Sequence, residues 1–532
     1  MANKDFTQDY KDYARFIPAV SEMYGRFLVS APVKRNLPKN IKLENLNFFD
    51  KKDGFIFIPG ALYSAGQAAR TKGAANRSDA ITNRDKNQTF LVGDSGGFQI
   101  QTGAIKFKGD ETKDRLMKWM ERNCDWSMIL DFPTGGINAG TIDSHTTRLN
   151  KELSINPYPI KEKNKLVKIS SIEQYTKLIG LNPSDEGEVS YSTCLLQTLI
   201  NNDYFIHHRT PGATNFLNVV QGRTNKESSI WYERVKHYQF EGWSMASWHR
   251  ENLVMMMSRL VDMYHDNLLE NKDWMHILGV GKLPNGCIYT TIQRCIREHA
   301  NPKFTISYDV SSPFTTTAFG NVCVGHNLDK KDWSLLMKNI DHPDQFPGGS
   351  KHNAWLQDVI SDSFKEYNLI EEVNGGTAVV SKSEVAKKLQ MSDLCVLDPN
   401  DPKYASSWDL TSYIMLMHHN LQSHLEAVLN AQNLYDSGDT ERTPIGILRL
   451  KELIPDIFNA CVKKGKKQAY DMIEKFSTDL NYMSGEAAKS GVALLTEFDL
   501  PQKSVIKSLH KKIKEDTKIN NPTKIVDENL WG

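Results

Sequence analysis

Seven short apolar runs between residues 55 and 309 constrain the fold of this chain more than any other feature of its sequence. They are FIFIP (55–59), TFLVGD (89–94), WSMILD (126–131), FLNVVQG (216–222), WSMASW (243–248), MHILGVG (275–281) and FTISYD (304–309). Longer segments of mixed helical character separate them. Hydrophobic strands that alternate with helices are typical of a parallel sheet covered on both faces. With about seven or eight such repeats, a closed (β/α)8 barrel competes with a doubly wound sheet.

Polar side chains stand where several of these runs end. Asp94, Asp131, Gln221 and Asp309 each lie at the C-terminal end of a run. A single acid after a strand is often only the N-cap of the next helix. Four polar ends in one series favour the barrel, because barrel enzymes gather their chemistry from the C-terminal ends of separate strands. We therefore predict an α/β protein with a TIM-barrel core.

The charge balance excludes a diffuse attractive field around the protein. The 532 residues include 65 basic and 64 acidic side chains, which leaves a formal net charge of +1. Any contact with nucleic acid must therefore come from local patches. The length predicts two or more domains. The seven cysteines are scattered and form no C-x-x-C pair, which favours a reducing compartment.

No stretch of the sequence predicts a membrane segment. The N-terminal residues MANKDFTQDYKDYARFIPAV are polar and include acids, unlike a signal or transit peptide. No run approaches the roughly 18 apolar residues that a membrane span needs. These features predict a cytoplasmic protein without a membrane partner.

The octapeptide GDSGGFQI (93–100) has two interpretations. Aspartate and serine bond to their own backbone and glycine supplies positive φ, so the segment could be a tight turn. Alternatively, the carboxylate, hydroxyl and amide around Gly96 and Gly97 form part of a site at the end of a buried strand. The remaining motifs favour the second interpretation.

Four segments resemble one enzyme family. DSGGFQ (94–99), LNVVQG (217–222), LGVG (278–281) and an aspartate four residues before a proline (Asp309 and Pro313) occur in the order and spacing of queuine-type tRNA-guanine transglycosylases. The resemblance covers roughly residues 50–330, and MHHNLQSHLEAVL (417–429) resembles the closing helix of that family. It implies a TIM barrel that exchanges guanine in a nucleic acid for a 7-deazaguanine base.

The resemblance also implies two catalytic carboxylates. Asp309 would be the nucleophile that attacks C1′ of the nucleotide and forms a covalent glycosyl-enzyme. Asp94 would be the general acid/base for the departing and incoming bases. The division of roles parallels a retaining glycosidase. A proton-transfer acid benefits from a pKa raised towards neutrality, whereas a nucleophile must stay ionised.

The same resemblance implies a set of groups that bind the base. Asp131 and Ser95 suit the N1–H and 2-amino edge of the purine, and Gln221 suits its O6. Phe98 and Leu278 match positions that sandwich the purine, although each could also be a plain core residue.

The base-binding set also includes a turn. The family places backbone glycines over the base where this chain has Ala246, Ser247 and Trp248. Small residues still allow a close backbone approach, and Trp248 would reshape the pocket.

The chain departs from the family pattern at two places. Thr315 and Ala318 occupy the positions of two arginines that grip the RNA. The zinc ligands of the family are reduced to Asp393, Cys395 and Asp398, with His419 matching the ligand histidine. Replacing two thiolates by carboxylates usually means that such a site is lost. No cofactor is expected, and a zinc ion is the alternative at this degenerate site.

Two additional segments lie outside the family pattern, so the sequence predicts four regions. These are an N-terminal segment (1–50), a transglycosylase core (51–340) with an insertion at about 135–200, a remnant of the zinc region with the closing helix (341–430), and a helical C-terminal extension (431–532). The extension carries Lys507, Lys511, Lys514 and Lys518 along one helical face. Such a stripe either follows phosphates or is a solvated helix face.

A branch of the superfamily, encoded by bacteriophages and bacterial modification clusters, acts on guanine in DNA, and this chain resembles that branch. The leading hypothesis is a pentosyltransferase that installs 7-cyano-7-deazaguanine or a relative in DNA, protecting it from restriction, in the host cytoplasm if phage-encoded. Its partners would be DNA and the free 7-deazaguanine base. A divergent tRNA-guanine transglycosylase and an inactive nucleic-acid-binding paralogue are the alternatives.

Overall fold

The structure is a computed structural model that describes residues 4–7, 12–30, 37–70, 73–101, 103–134, 142–340, 348–369, 377–397 and 405–484. Its strands are β1 (Lys4–Asp5), β2 (Arg15–Pro18), β3 (Ile56–Phe57), β4 (Gly60–Ser64), β5 (Phe90–Asp94), β6 (Trp126–Met128), β7 (Tyr158–Glu162), β8 (Lys165–Ile169), β9 (Asn215–Val220), β10 (Gly242–Met245), β11 (Trp274–Ile277), β12 (Thr305–Val310), β13 (Asn321–Leu328), β14 (Trp333–Asn339), β15 (Ala378–Val380), β16 (Cys395–Leu397) and β17 (Ala405–Trp408).

Helices follow most of these strands. They are α1 (Glu22–Ser30), α2 (Gly66–Arg70), α3 (Gly97–Gln101), α4 (Asp110–Asn123), α5 (Ile142–Ile155), α6 (Ile172–Leu178), α7 (Glu186–His208), α8 (Asn225–Val235), α9 (Leu253–His265), α10 (Leu283–His299), α11 (Ser312–Thr315), α12 (Leu356–Lys365), α13 (Leu410–Ser437), α14 (Ile445–Lys464), α15 (Lys466–Lys475) and α16 (Ser477–Leu480). Side-chain caps fix several helix starts, as where Asp409 accepts from the backbone N–H of Ser412 at α13.

The main sheet has eight strands in the order β2–β12–β11–β10–β9–β6–β5–β4. Strands β6, β9 and β10 pair in parallel, and so do β11, β12 and β2. Six of the seven predicted runs supply strands of this sheet, namely β5, β6 and β9 to β12. The prediction of an α/β fold with a parallel sheet is therefore confirmed.

Two strands of the sheet differ from the predicted set. The run FIFIP forms β3, which pairs with β1 in a separate two-stranded sheet, and the main-sheet strand β4 begins one residue after the run. Strand β2 was not predicted, because it is a four-residue strand that begins with a charged side chain. The guanidinium of Arg15 lies 5.6 Å from the ring centroid of Phe90 and 5.3 Å from that of Trp274, so two cation–π contacts stabilise this half-buried charge.

The described chain divides into two compact units. The first unit comprises the described residues within 1–63, 77–92 and 269–472, and the second comprises those within 64–76, 93–268 and 473–484. In the first unit, α10 packs against α13 and α14, and the ring of Phe16 stacks on His424 and meets Tyr308 edge-on. The predicted closing helix at 417–429 lies within α13, which is 28 residues long.

The C-terminal extension is helical as far as it is described. Helices α14, α15 and α16 follow α13, and the described chain ends at residue 484. The four predicted lysines, Lys507, Lys511, Lys514 and Lys518, lie outside the described residues.

The predicted insertion is folded within the second unit. From residue 142 it consists of α5, the antiparallel hairpin β7–β8, α6 and the first part of α7. The hairpin is anchored by the Tyr158 hydroxyl, which donates to Asp203 near the end of α7, and by Glu162, which pairs with Arg234 in the last turn of α8 at 2.6 Å. These helix ends lead into the starts of β9 and β10, whereas Gln221 follows the other end of β9.

None of the helices in the described ranges is both long enough and apolar enough to cross a membrane.

Candidate active site

Four predicted residues of the second unit lie where strands of the main sheet end. Asp94 is the last residue of β5, and Asp131 follows the last residue of β6 by three positions. Gln221 comes directly after β9, and Ser247 follows β10 by two positions. Asp94, Asp131 and Gln221 thus lie at or shortly after C-terminal strand ends, as their positions in the apolar runs predict, and Ser247 belongs to the turn that follows β10.

Asp131 and Gln221 are joined inside this cluster. The Gln221 Nε2 amide donates to Asp131 Oδ2, and Gln221 Oε1 accepts from the backbone N–H of Thr134 at 2.8 Å. Because an amide nitrogen only donates and an amide oxygen only accepts, these two bonds fix the orientation of the Gln221 amide. The Ser95 hydroxyl donates to Asp131 Oδ1 at 3.5 Å. The cluster therefore presents a carboxylate, a hydroxyl and an oriented amide.

The hydroxyl of Thr134 extends the cluster. Its Oγ1 lies 3.2 Å from Gln221 Oε1 and 3.1 Å from Ser247 Oγ. Sequence reasoning missed Thr134, because it belongs to no motif and meets its partners 87 and 113 residues further along the chain. Ser247 has φ of +59°, a left-handed conformation that favours glycine. A left-handed backbone is what a glycine would adopt easily, and the sequence resemblance aligns this turn with backbone glycines.

Burial raises the pKa of the Asp131 carboxyl to about 7, and the charge of Asp94 adds to the rise. The side chain is only 5% exposed, so its ionised form is poorly solvated. Asp94, which the resemblance assigns as the general acid/base, is the neighbouring charge in this pair. The two carboxyl groups therefore share one electrostatic environment.

The glycine pair of DSGGFQ is explained by close packing. A Cβ at Gly97, the first residue of α3, would lie 2.2 Å from the backbone oxygen of Asp131. Gly96 has φ of +79°, and a Cβ there would lie 2.6 Å from the Cα of Gly66. The segment is thus both a turn and a close approach between two strand ends.

Three predicted base-contacting residues have exposed or half-buried side chains. Phe98 on α3 is 58% exposed, which excludes a plain core residue. Trp248 lies in the short 3-10 helix Ser247–Arg250 and is half-buried. Leu278, in the first unit, directly follows β11 and is also half-buried.

Asp309 lies in the first unit, near the end of β12, and is held through one oxygen. Its Oδ1 accepts from the backbone N–H of Gly279 at 2.9 Å and lies 3.1 Å from His276 Nε2. No described residue hydrogen-bonds to Oδ2. The side chain is 5% exposed. One carboxylate oxygen is therefore fixed and the other is open.

Two further side chains, Ser307 and Trp274, continue the hydrogen bonding from His276. His276 Nδ1 lies 2.8 Å from Ser307 Oγ, and the indole Nε1 of Trp274 donates to the same oxygen at 2.8 Å. The pairing of β11 with β12 sets His276 opposite Ser307. Sequence reasoning missed His276, Ser307 and Trp274, and the available signal was a lone histidine inside the otherwise apolar strand β11.

The segment after Asp309 lacks the expected arginines. Thr315 closes α11, and Ala318 lies in the 3-10 helix Thr316–Phe319 that follows. The largest exposed side chain of this segment is Phe319, which is 69% exposed.

Two residues of the predicted degenerate zinc site, Asp393 and His419, are engaged in ordinary hydrogen bonds. The Asp393 carboxylate accepts from the backbone N–H of Gln390 at 2.8 Å. His419 is buried, with Nδ1 2.7 Å from Ser383 Oγ and Nε2 2.8 Å from the backbone oxygen of Cys323.

His419 does not fit zinc ligation as it stands, because both of its ring nitrogens are engaged with other groups. The side chain of Cys395 and all of Asp398 lie outside the described residues. Within the described ranges, no group of three or more His, Cys, Asp or Glu side chains is placed to hold a metal ion.

Comparison of the chain with protein-family models and with curated proteins finds no match. The functional interpretation therefore depends on the residues and their geometry.

The raised pKa of Asp131 predicts how stability changes with pH. In the folded protein the carboxyl keeps its proton up to about pH 7, whereas an unfolded aspartate loses it near pH 4. The free energy of unfolding therefore falls as the pH rises through this window. Asp131→Asn cannot ionise, so its stability relative to the wild type should increase between about pH 5 and about pH 7.5, measured by urea unfolding.

The exposed, ion-paired Asp362 provides the control for this experiment. Asp362→Asn should show no comparable increase. An Asp131→Asn protein whose stability difference from the wild type is the same at both pH values would contradict the raised pKa.

The close contact at Gly97 predicts a loss of stability on adding one methyl group. Gly97→Ala forces the backbone of Asp131 to move, and overpacking of this kind typically costs about 1–3 kcal/mol of unfolding free energy. Gly73→Ala is the matched control, because nothing lies within 4 Å of its added Cβ. Equal unfolding free energies for the two variants would show that the strand ends can separate without cost.

Proposed function

We propose that this protein is a DNA-guanine transglycosylase, which exchanges guanine in DNA for a 7-deazaguanine base such as 7-cyano-7-deazaguanine. The observation that carries the proposal is the Asp309 carboxylate, which is buried, held at Oδ1 by two groups and open at Oδ2. That arrangement suits a nucleophile, because the attacking oxygen is oriented without being hydrogen-bonded. The resemblance to the transglycosylase family, carried by DSGGFQ, LNVVQG, LGVG and the Asp309–Pro313 pair, supports the choice of reaction.

The proposal includes a closed (β/α)8 barrel. If the two ends of the main sheet are joined, neighbouring strands follow one another in the order of the sequence, from β2 and β4 round to β12. A (β/α)8 barrel has the same strand order. An isolated parallel bridge between Ala19 and Leu62, next to β2 and within β4, supports closure between the two ends of the order. In a barrel of this kind, chemistry gathers at the C-terminal ends of the strands.

The proposed reaction has two steps. In the first, a lone pair of Asp309 Oδ2 forms a bond to C1′, the C1′–N9 bond breaks, and the leaving guanine takes a proton at N9 from Asp94. In the second, Asp94 takes the N9 proton of the incoming base, N9 attacks C1′, and the ester electron pair returns to Oδ2. Two displacements retain the configuration at C1′.

The cluster around Asp131 supports recognition of the base. Gln221 uses one Nε2 hydrogen for Asp131 and its Oε1 for Thr134, which leaves the second Nε2 hydrogen for the purine O6. In its ionised form, above about pH 7, the Asp131 carboxylate can accept from N1–H and the 2-amino group. Phe98 supplies an exposed ring that suits stacking on a purine.

Duplex DNA is the preferred nucleic acid in this proposal. Thr315 and Ala318 replace the arginines that grip tRNA in the resembling family. Attack at C1′ of a stacked nucleotide requires that the base be flipped out of the duplex. A divergent tRNA-guanine transglycosylase is the alternative, since recognition of the base and C1′ does not depend on the 2′-OH. An inactive paralogue has less support, because Asp94 and Asp309 are both retained.

One assay tests the substrate. Purified protein is incubated with labelled 7-cyano-7-deazaguanine and either duplex DNA or tRNA, and the nucleic acid is digested to nucleosides. We expect label in the deoxynucleoside fraction. Label found only in ribonucleosides from tRNA would replace the DNA proposal with the alternative, and label in neither would reject base exchange.

Substitution of either carboxylate tests the assigned roles. Asp309→Asn should abolish both exchange and the covalent adduct with DNA, because an amide cannot form the glycosyl ester. Asp94→Asn should also abolish exchange, because an amide carries no transferable proton. Adducts are measured by denaturing gel electrophoresis, and Asp362→Asn serves as a surface control. An adduct with Asp309→Asn would exclude it as the nucleophile.

Removal of the Gln221 amide tests base recognition. Gln221→Ala should raise the KM for the free base about 5- to 150-fold, because an unpaired polar edge of the purine costs about 1–3 kcal/mol. Gln357→Ala provides a control, because the half-buried Gln357 amide also donates to a protein oxygen, the backbone oxygen of Ser381 at 2.8 Å. Unchanged steady-state kinetics in Gln221→Ala would place the base elsewhere.

A further inference from the structure

We propose that His276, Ser307 and Trp274 form a positioning chain that selects which oxygen of Asp309 attacks. The inference rests on the proposed function and deepens it, because it assigns Oδ2 as the nucleophilic atom and Oδ1 as the anchored one. His276 is fully buried in β11, and its partner Ser307 is fully buried in β12. Neither residue contacts the substrate in the proposed reaction, so both are positioning residues.

The directions of the hydrogen bonds follow from the two ends of the series, because the indole N–H of Trp274 can only donate and the carboxylate of Asp309 can only accept. Trp274 Nε1 can only donate, so Ser307 Oγ accepts from it at 2.8 Å. The hydroxyl proton of Ser307 is then available for His276 Nδ1, 2.8 Å away. A neutral His276 that accepts at Nδ1 carries its proton on Nε2, which donates to Asp309 Oδ1 at 3.1 Å. The series of hydrogen bonds from Trp274 to Asp309 thus selects the Nε2–H tautomer of His276.

A second donor completes the anchor. Gly279 directs its backbone N–H to the same Oδ1 at 2.9 Å, and its φ of +73° provides the turn after β11 that makes this possible. The backbone N–H of Val280 also donates to the backbone oxygen of Asp309 at 2.6 Å. Two donors on one oxygen and a backbone tie restrict rotation of the carboxyl group. Oδ2 is left as the atom with an unused lone pair.

A neutral donor suits this position better than a charged one. A lysine or arginine in place of His276 would form an ion pair and lower the nucleophilicity of the carboxylate. A neutral imidazole holds the carboxylate in place while leaving its negative charge for attack on C1′. A misplacement of a reacting group by about 1 Å can cost about a hundredfold in rate.

The tautomer can be measured without any substrate. In the full-length protein with 15N-labelled histidine, the His276 signals are assigned by their loss in His276→Gln. We expect a protonated Nε2 and an unprotonated Nδ1 in neutral His276. The opposite tautomer would overturn the proposed chain whether or not the protein exchanges bases.

Kinetics test the effect on the nucleophile. His276→Phe removes the donor to Oδ1, and we expect adduct formation with DNA in a single turnover to slow about a hundredfold. The KM for the free base should stay within about twofold, because the base-binding groups are untouched. His276→Gln keeps an N–H donor near the position of Nε2 and should recover most of the rate. His326→Gln, at another buried histidine of the first unit, should behave as the wild type.

The outcomes separate the two proposals. His276→Phe at the wild-type rate, or a rate loss equal in the Phe and Gln variants, would overturn the positioning role. If His276→Phe does not fold, as judged by thermal unfolding, Ser307→Ala replaces it and should slow adduct formation, and an unchanged rate would overturn the role. A wild-type protein that forms no adduct on DNA or tRNA would instead overturn the proposed function, and the tautomer measurement would still decide the hydrogen-bond chain.

Discussion

The burial of two carboxyl groups at strand ends is the constraint on which the candidate site depends. Asp131 and Asp309 are each 5% exposed, and a buried carboxylate is stable only with hydrogen-bond donors or with a proton. Asp131 has one amide and one hydroxyl donor and a neighbouring carboxyl group, and its pKa is raised to about 7. Asp309 has a histidine and a backbone N–H on a single oxygen. Similar burial thus produces two chemically different groups.

Each environment depends on backbone geometry that only certain residues permit. Gly97 packs against the backbone carbonyl of Asp131, and any side chain at Gly97 would collide with that oxygen. The anchor of Asp309 needs the left-handed turn at Gly279 and the register that pairs His276 with Ser307. The polar groups are therefore fixed by strands and turns rather than by long flexible loops, which is the arrangement that a precise reaction geometry requires.

The sequence predicted those parts of the fold and site that leave a local pattern. The apolar runs predicted six strands of the main sheet. The polar ends of those runs pointed to Asp94, Asp131, Gln221 and Asp309 as candidate site residues. Strand β2 was missed because four residues that begin with an arginine have no strand pattern. Thr134, His276 and Ser307 were missed because their roles arise from contacts between strands distant in sequence. The left-handed backbone of Ser247 was also beyond prediction, since serine rarely adopts it.

The anchoring of the β7–β8 hairpin has a consequence for how this chain can be extended. Its two-residue turn, Lys163 and Asn164, has positive φ at both positions and is exposed. Tyr158 and Glu162 attach the hairpin to the ends of α7 and α8 that lead into strand starts, whereas Gln221 follows the opposite end of β9. Because hairpin tips of this kind accept inserted sequence, a fluorescent domain or affinity tag placed between Lys163 and Asn164 would label the protein on the side remote from Gln221.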